Sequence, residues 1–309
     1  MRWAWERQLH VCCSQLFSLS HWCRWPSAIA VWRRINMWKS KRFTVSASVL
    51  WIYSGITLFV LLYLTYNSFR TKPDLLSNTF GVPKSLTFDN YIRLFAEADF
   101  LKYVWNSALI LILALLVVIV SSSMAAYGLG RFKFRFKNTL TMYFLVGLMF
   151  PVQLGIVPIF IIIRNMGLLN TQTAVILILS AGISMPVFLL TVFFARLPKD
   201  IYESAKMDGA SEWKTFYRVM FPLASPVIFS ICIIMSVQIW NQFFIPLIFL
   251  QTEAKRTIPL LIVKYTSNLM YTIDMAMVAS VVATIPVLIL FYTLAQRVMD
   301  GVASGGVKG

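Results

Sequence analysis

The sequence predicts an all-α membrane protein of six transmembrane helices, and three observations carry that prediction. The chain is 59% hydrophobic and only 13% charged over 309 residues, whereas soluble domains carry about 25% charged residues. Its charges are gathered into islands, which leave charge-free runs at 43–69, 103–130, 138–163, 165–195, 219–252 and 275–296. Each run reaches or exceeds the ~20 residues that a helix needs to cross a hydrocarbon core. Strands of a closed barrel alternate in polarity and are about ten residues long, a pattern these runs do not follow.

The basic residues then orient the spans. Six crossings put both termini on one side, together with 131–137 and 196–218. That side holds 19 Lys and Arg and the opposite side 9, while the acidic residues divide six and six. The cluster Arg131, Lys133, Arg135 and Lys137 is the most compact indicator. By the positive-inside rule both termini and the polar segment 196–222 are cytoplasmic. The net charge of +16 follows from this asymmetry and suits anionic lipid head groups. Nucleic acid is not an expected partner, because no soluble domain carries a basic stripe interleaved with stacking aromatics.

Residues 1–36 differ from the rest. They hold five Trp and three Cys, with His10 two residues before Cys12 and His21 two before Cys23. A zinc site built on those four residues matches no standard ligand spacing, and no metal site is expected. The 8–23 run is interrupted by Gln, Ser and His and lacks the cleavage pattern of a signal peptide. Residues 1–36 therefore read as an atypical extension ahead of a true start at Met37, and 37–309 as the membrane domain. Cys232, inside a span, reads as a small packing residue.

Along the membrane part, span one is apolar nearly throughout. Residues 70–102 form a long external loop, and span two opens with Asn106 and Ser107 and ends at Gly128 and Gly130. Span three carries Pro151, Gln153, Gly155 and Pro158 in its middle third, which predicts a kink or break. Span four has Gly182 and Pro186, span five Gln238, Asn241, Gln242 and Pro246, and span six Pro286. No run carries a charged residue, so proton-relay or voltage-sensor chemistry has no candidate group inside the membrane. The amides Asn106, Gln153, Gln238, Asn241 and Gln242 have two open readings. They are interhelical hydrogen bonds worth about 1 kcal/mol each, or they line a translocation path for a polar solute.

The polar segment 196–222 organises the C-terminal half. Asp200 is a candidate cap for a short helix, with Glu203 three residues on. Gly209 sits where a helix end wants positive φ, and Ser211 can cap a second helix. Trp213, Phe216, Tyr217 and Met220 fall at i, i+3, i+4 and i+7, which predicts one aromatic face, and Pro222 marks a boundary before span five. A helical hairpin with such a face needs a partner to bury it.

Glu203-Ser204-Ala205, three residues, Gly209, nine residues and Val219-x-Phe221-Pro222 resemble the EAA loop of ABC importer permeases. Ser204, Val219 and Phe221 depart from that pattern and leave its spacing intact. The segments 106–134, 150–171, 237–250 and the tail 295–309 resemble the carbohydrate subgroup, and the likeness over 43–309 is to the second permease subunit of a maltose-type system. The resemblance implies a type I ABC importer permease fold. It also implies a second homologous permease subunit, two ABC ATPase subunits that bind ATP and magnesium, and an extracellular or periplasmic solute-binding protein. It assigns the ATPase contact to Glu203, Ser204, Ala205, Asp208, Gly209 and Pro222, with Ile201 beside them and the tail from Asp300 reaching toward the ATPases. Glu203 also stands as a first-turn acid that steadies its helix by about 0.3–1 kcal/mol.

No phosphate-binding GxxxxGK[ST] pattern occurs, so the chain is expected to hold no ATPase site, no catalytic residues and no cofactor of its own. A permease for glycerol phosphate or another polar solute shares the same architecture. An ion-driven secondary transporter is the more distant alternative, and it would need the intramembrane ionisable residue that the runs lack.

Overall fold

The computed structural model describes residues 26–78, 81, 83, 85–96 and 99–305. The His10, Cys12, His21 and Cys23 group lies outside the described residues, as do 306–309. Among the described residues every regular element is a helix, with one isolated antiparallel bridge between Arg70 and Leu86. The chain divides into a unit ending at Tyr63 and a second from Leu64 onward. The first unit contains most of α1 (Pro26–Ser68), a 43-residue helix that continues through Met37 without a break. Its apolar side chains, Leu50, Trp51 and Phe59 among them, are exposed, the surface expected of a helix that is apolar all round.

The segment after α1 is built rather than loose. α2 (Lys72–Ser77) and α3 (Asp89–Ala96) fold around the fully buried Arg70. Its guanidinium donates to Asp74 Oδ2 at 2.7 Å, Asn67 Oδ1 at 3.0 Å and the Asn78 carbonyl at 2.7 Å. Asn90 Nδ2 donates to the Ser68 and Arg70 carbonyls. A buried charge is tolerated only when its donors are satisfied in this way. The expected long loop is therefore an ordered polar knot, tied to the last helix by Arg93 and Asp274 at 3.2 Å.

α4 (Phe100–Arg131) is the central element, packed against most of the later helices. It packs most extensively against the helix Ser184–Arg196. At Gly130 a methyl group would lie 2.8 Å from Phe194 Cβ and 3.1 Å from the Thr191 carbonyl, so only a residue without Cβ lets the two backbones approach there.

Three expected spans are bent pairs. α5 (Lys137–Met149) is followed by a tight turn, Val152–Gly155, and by α6 (Ile156–Asn165), with a 93° bend. The break falls at Phe150, extended at φ −92° and ψ 114°, as the residue before a proline prefers. α7 (Gln172–Ser180) and α8 (Ser184–Arg196) meet at 41° around Gly182. α9 (Lys199–Met207) and α10 (Glu212–Thr215) lead through a π-turn, Phe216–Met220, and α11 (Phe221–Leu223) into α12 (Ser225–Trp240), with a 71° bend at the last junction. α13 (Phe244–Phe249), α14 (Ile258–Thr266) and α15 (Leu269–Gly305) complete the chain. α1, α4 and α15 each contain a stretch long and apolar enough to cross a bilayer, and each bent pair is apolar enough to make one more crossing.

Two boundaries differ from the sequence expectation. The run 219–252 is not one helix, because the chain breaks at Asn241–Phe243. The last helix, kinked at Thr272 (φ −134°, ψ 24°), is helical from there through Gly305, so the segment expected as a short tail is helical up to that residue.

Candidate functional site

The hairpin 199–223 is the first part of the site. Gly209 has φ +74°, the left-handed conformation that ends α9. The Gly209 amide donates to the Lys206 carbonyl and the Ala210 amide to the Ala205 carbonyl, each at 3.0 Å. Those two bonds make a Schellman closure, which supplies partners for the last carbonyls of the helix. Ser211 Oγ then accepts the Lys214 amide and starts α10, as its position in the sequence predicts.

Three hairpin expectations are corrected. Asp200 does not cap α9: Pro198 precedes the helix with no side-chain cap, and Asp200 sits inside the first turn. The reason is the helix boundary: Pro198, at φ −52° and ψ 139°, is the residue before a helix that begins at Lys199, which puts Asp200 past the cap position, while the Arg131 guanidinium takes the carbonyls of Leu197 (3.3 Å), Pro198 (3.5 Å) and Lys199 (3.1 Å). Pro222 lies within α11, and the break before α12 falls at Ala224. The aromatic face is divided. Phe216 and Met220 are buried in the core, whereas Trp213 and Tyr217 are more than half exposed. At 3.6 residues per turn the four positions span an arc of about 100°, with Phe216 and Met220 on the core edge and Trp213 and Tyr217 on the outer one, Trp213 still edge-on to Phe216 at 6.0 Å.

Of the predicted contact residues, Ala205 is buried and Glu203, Ser204, Asp208, Gly209 and Pro222 are exposed. Met207, at 89% exposure, stands out furthest. Ser204 Oγ is turned back on the Asp200 carbonyl at 2.6 Å. The exposed side of the hairpin thus carries Glu203, Met207, Trp213 and Tyr217, a mixed apolar and acidic surface.

The sequence reading missed the residue that fastens the hairpin. Glu212 accepts hydrogen bonds from Tyr202 at 2.7 Å and from Tyr127 of α4 at 3.2 Å, and pairs with Lys206 Nζ at 2.7 Å. Partial burial would raise its pKa, but the Lys206, Tyr202 and Tyr127 donors outweigh that and hold Glu212 below the ordinary carboxylate value. Its bond to Glu212, then burial, push Tyr202 up to about 12. Arg131 also lies over the Tyr202 ring at 4.8 Å, an attraction of about 0.5–1 kcal/mol at exposed sites. The available signal was Tyr127 itself. A tyrosine at the end of an apolar run brings a hydroxyl that needs an acceptor.

The second part of the site is a cavity of about 1110 Å³. Its walls include helix breaks: Leu148 and Phe150 before the one that precedes α6, Ala181 to Ser184 across the one between α7 and α8, and Gln238 and Gln242 at the break Asn241–Phe243 between α12 and α13. Gln238 and Gln242 both line it. Asn241 turns its amide back to the Val237 carbonyl at 2.9 Å, and Gln153 is exposed outside the lining. Among the described residues, no Lys, Arg, Asp or Glu lines the cavity.

Asn106 has a separate role. It is 7% exposed, donates to the Ala254 and Arg256 carbonyls, both at 2.9 Å, and accepts from Gln172 Nε2 at 2.7 Å. Beside it Ser107 Oγ accepts the Ile258 amide, and Tyr103 donates to Glu253. Glu253 is held below the ordinary carboxylate value first by its bond to Lys264, then by Tyr103. This set of bonds fastens the 253–258 connection to the start of α4.

Comparison with known proteins gives this architecture its family. Residues 118–303 match the family described as the binding-protein-dependent transport system inner membrane component. The chain is 35% identical to the diacetylchitobiose uptake system permease protein NgcG of Streptomyces coelicolor, over 86% of this chain and 89% of that one. It is 32% identical to the arabinooligosaccharides transport system permease protein AraQ of Halalkalibacterium halodurans, over 82% and 92% of the two chains. A crystal structure of a bacterial ABC transporter for import of the acidic polysaccharide alginate contains a chain with the same fold. Its TM-score is 0.70 at 21% identity, covering 84% of this chain and 97% of that one. The helical architecture, the glycine-hinged hairpin and these matches agree, and the chain belongs to the binding-protein-dependent inner membrane components, the permease subunits of ABC transporters.

Proposed function

We propose that this chain is the permease subunit of an ABC importer that moves a sugar or oligosaccharide into the cytoplasm by alternating access. The hairpin carries the reading. It combines a fixed turn at Gly209, a core anchor at Phe216 and Met220, and an exposed surface at Glu203, Met207, Trp213 and Tyr217. That surface is the docking element for one of two separate ATPase subunits, which supply ATP and magnesium. A second homologous permease and an external binding protein complete the complex. The chain crosses the membrane six times, with both termini and the hairpin in the cytoplasm.

The cavity at the helix breaks lies on the solute path. Gln238 and Gln242 offer amide donors and acceptors to hydroxyl groups, and the apolar remainder suits the faces of sugar rings. A lining without ionised groups favours a neutral solute over a glycerol phosphate, whose charge would call for Lys or Arg.

The test is purification from native membranes of the wild-type chain and of Gly209→Val, with identification of co-purifying proteins. Recovery of a P-loop ATPase and a second permease, with the ATPase lost in the variant, is expected. Recovery of the chain alone, or as a homodimer, overturns the reading. Uptake of radiolabelled chitobiose, arabinobiose and glycerol 3-phosphate into vesicles holding the complex then tests the solute class.

A further inference from the structure

We propose that Glu212 and Arg131 are positioning residues that fasten the hairpin to α4, so that a displacement of the hairpin is delivered to α4 and α8 and not directly to α12. This rests on the importer reading and says which helices the hairpin drives.

Two clasps with charged members join hairpin and α4. In the first, the Glu212 carboxylate is shared by Tyr127 from α4 and by Tyr202 and Lys206 from α9. In the second, Arg131 at the end of α4 holds the carbonyls of Leu197, Pro198 and Lys199 and covers the Tyr202 ring. Aromatic contacts lie between the two clasps. Tyr127 lies 5.2 Å from Phe216 and 5.8 Å from Phe194 of α8, measured between ring centres. The close approach at Gly130 locks α4 to α8 in turn.

The route toward α12 has the opposite character. The hairpin reaches that helix through the π-turn 216–220 and the 71° bend at Ala224. Departures from the α-helical ladder are where helices bend. A force on the hairpin therefore turns about this joint, while the clasps carry α4 with it as part of one rigid body. α8 takes that movement to the cavity, because Ser184 at its start and Gly182 just before it form part of the wall.

The test uses the complete importer, purified with its own ATPases and shown to hydrolyse ATP, so that the outcome separates this link from the importer reading itself. With its four cysteines replaced by serine, the chain carries spin labels at Met207→Cys in the exposed hairpin and at either Met124→Cys in α4 or Val237→Cys in α12. Distances are measured without nucleotide and with Mg-ATP trapped by vanadate. The expected result is an unchanged Met207–Met124 distance and a shifted Met207–Val237 distance. Glu212→Gln combined with Arg131→Gln makes the first distance shift as well. Tyr127→Phe, which keeps the ring and removes only the hydroxyl, shifts it in the same direction by a smaller amount. The proposal is overturned if the first distance shifts as much as the second with both clasps intact. It is equally overturned if neither distance shifts during hydrolysis, or if both variants leave the wild-type pattern in place.

Discussion

The side-chain oxygen of Asn106 accepts a hydrogen bond from Gln172 Nε2 at 2.7 Å, joining the start of α4 to the start of α7 across 66 residues of sequence. The same amide donates to two carbonyls of the 253–258 connection. One buried residue thus ties together three parts of the chain. Asn106→Ala is expected to destabilise the fold by about 1–3 kcal/mol, because it leaves buried polar groups without partners. Gln172→Ala removes a single bond and is expected to cost about 1 kcal/mol. Thermal unfolding of the two variants in one detergent checks the order.

Gly130 and Gly128 make a paired prediction. A methyl group at Gly130 meets Phe194 Cβ at 2.8 Å, whereas one at Gly128 meets nothing within 4 Å. Gly130→Ala is expected to lose about 1–3 kcal/mol through overpacking. Gly128→Ala is expected to be neutral or to gain up to about 1 kcal/mol from helix propensity. Equal effects in a thermal melt would show that the two helices are not in contact at Gly130.

At Gly209 the positive φ sets a hierarchy. Asparagine tolerates the left-handed region, while a side chain with Cβ substituents in it costs about 1–2 kcal/mol. Gly209→Asn should keep the co-purifying ATPase and Gly209→Val should lose it. Retention by both variants would place the coupling surface elsewhere.

Tyr202 gives a pH signature. Its bond to Glu212 raises the phenol from 10.0 to about 12, so the folded hairpin favours the neutral form. The stabilisation this bond gives is fully present below pH 10 and is lost as pH rises through about 12. The difference between the tyrosinate absorbance titrations of wild type and Tyr202→Phe isolates the group. A midpoint near 10 would mean that the Glu212 bond is absent in solution.

What the sequence made legible was local. The charge-free runs became helices, Pro151 and Gly182 marked breaks, and Gly209 and Ser211 punctuated the hairpin. Each of those features is decided within a few residues of chain. The residues that organise the site are paired at long range. Tyr127 and Glu212 stand 85 positions apart and Asn106 and Ala254 stand 148 apart, distances over which periodicity carries no information. The divided aromatic stripe failed for another reason. The 3.6-residue spacing of Trp213, Phe216, Tyr217 and Met220 is real, but the arc it spans is about 100° wide, and only its Phe216 and Met220 edge meets the core. Arg131 was read only as a basic loop residue, because its acceptors are backbone carbonyls, which leave no trace in a sequence.

The three breaks around the cavity have an electrostatic consequence. A broken helix presents two ends, and the dipoles of its halves put partial positive charge at the new N-terminus and partial negative charge at the new C-terminus. At the break between α7 and α8 these ends belong to Ser184 and Ser180, and at the break between α12 and α13 to Phe244 and Trp240. Each such break sets the two signs side by side, and their far fields largely cancel. On the proposed solute path this would leave little net potential, a condition that rewards a molecule of alternating donors and acceptors over an ion.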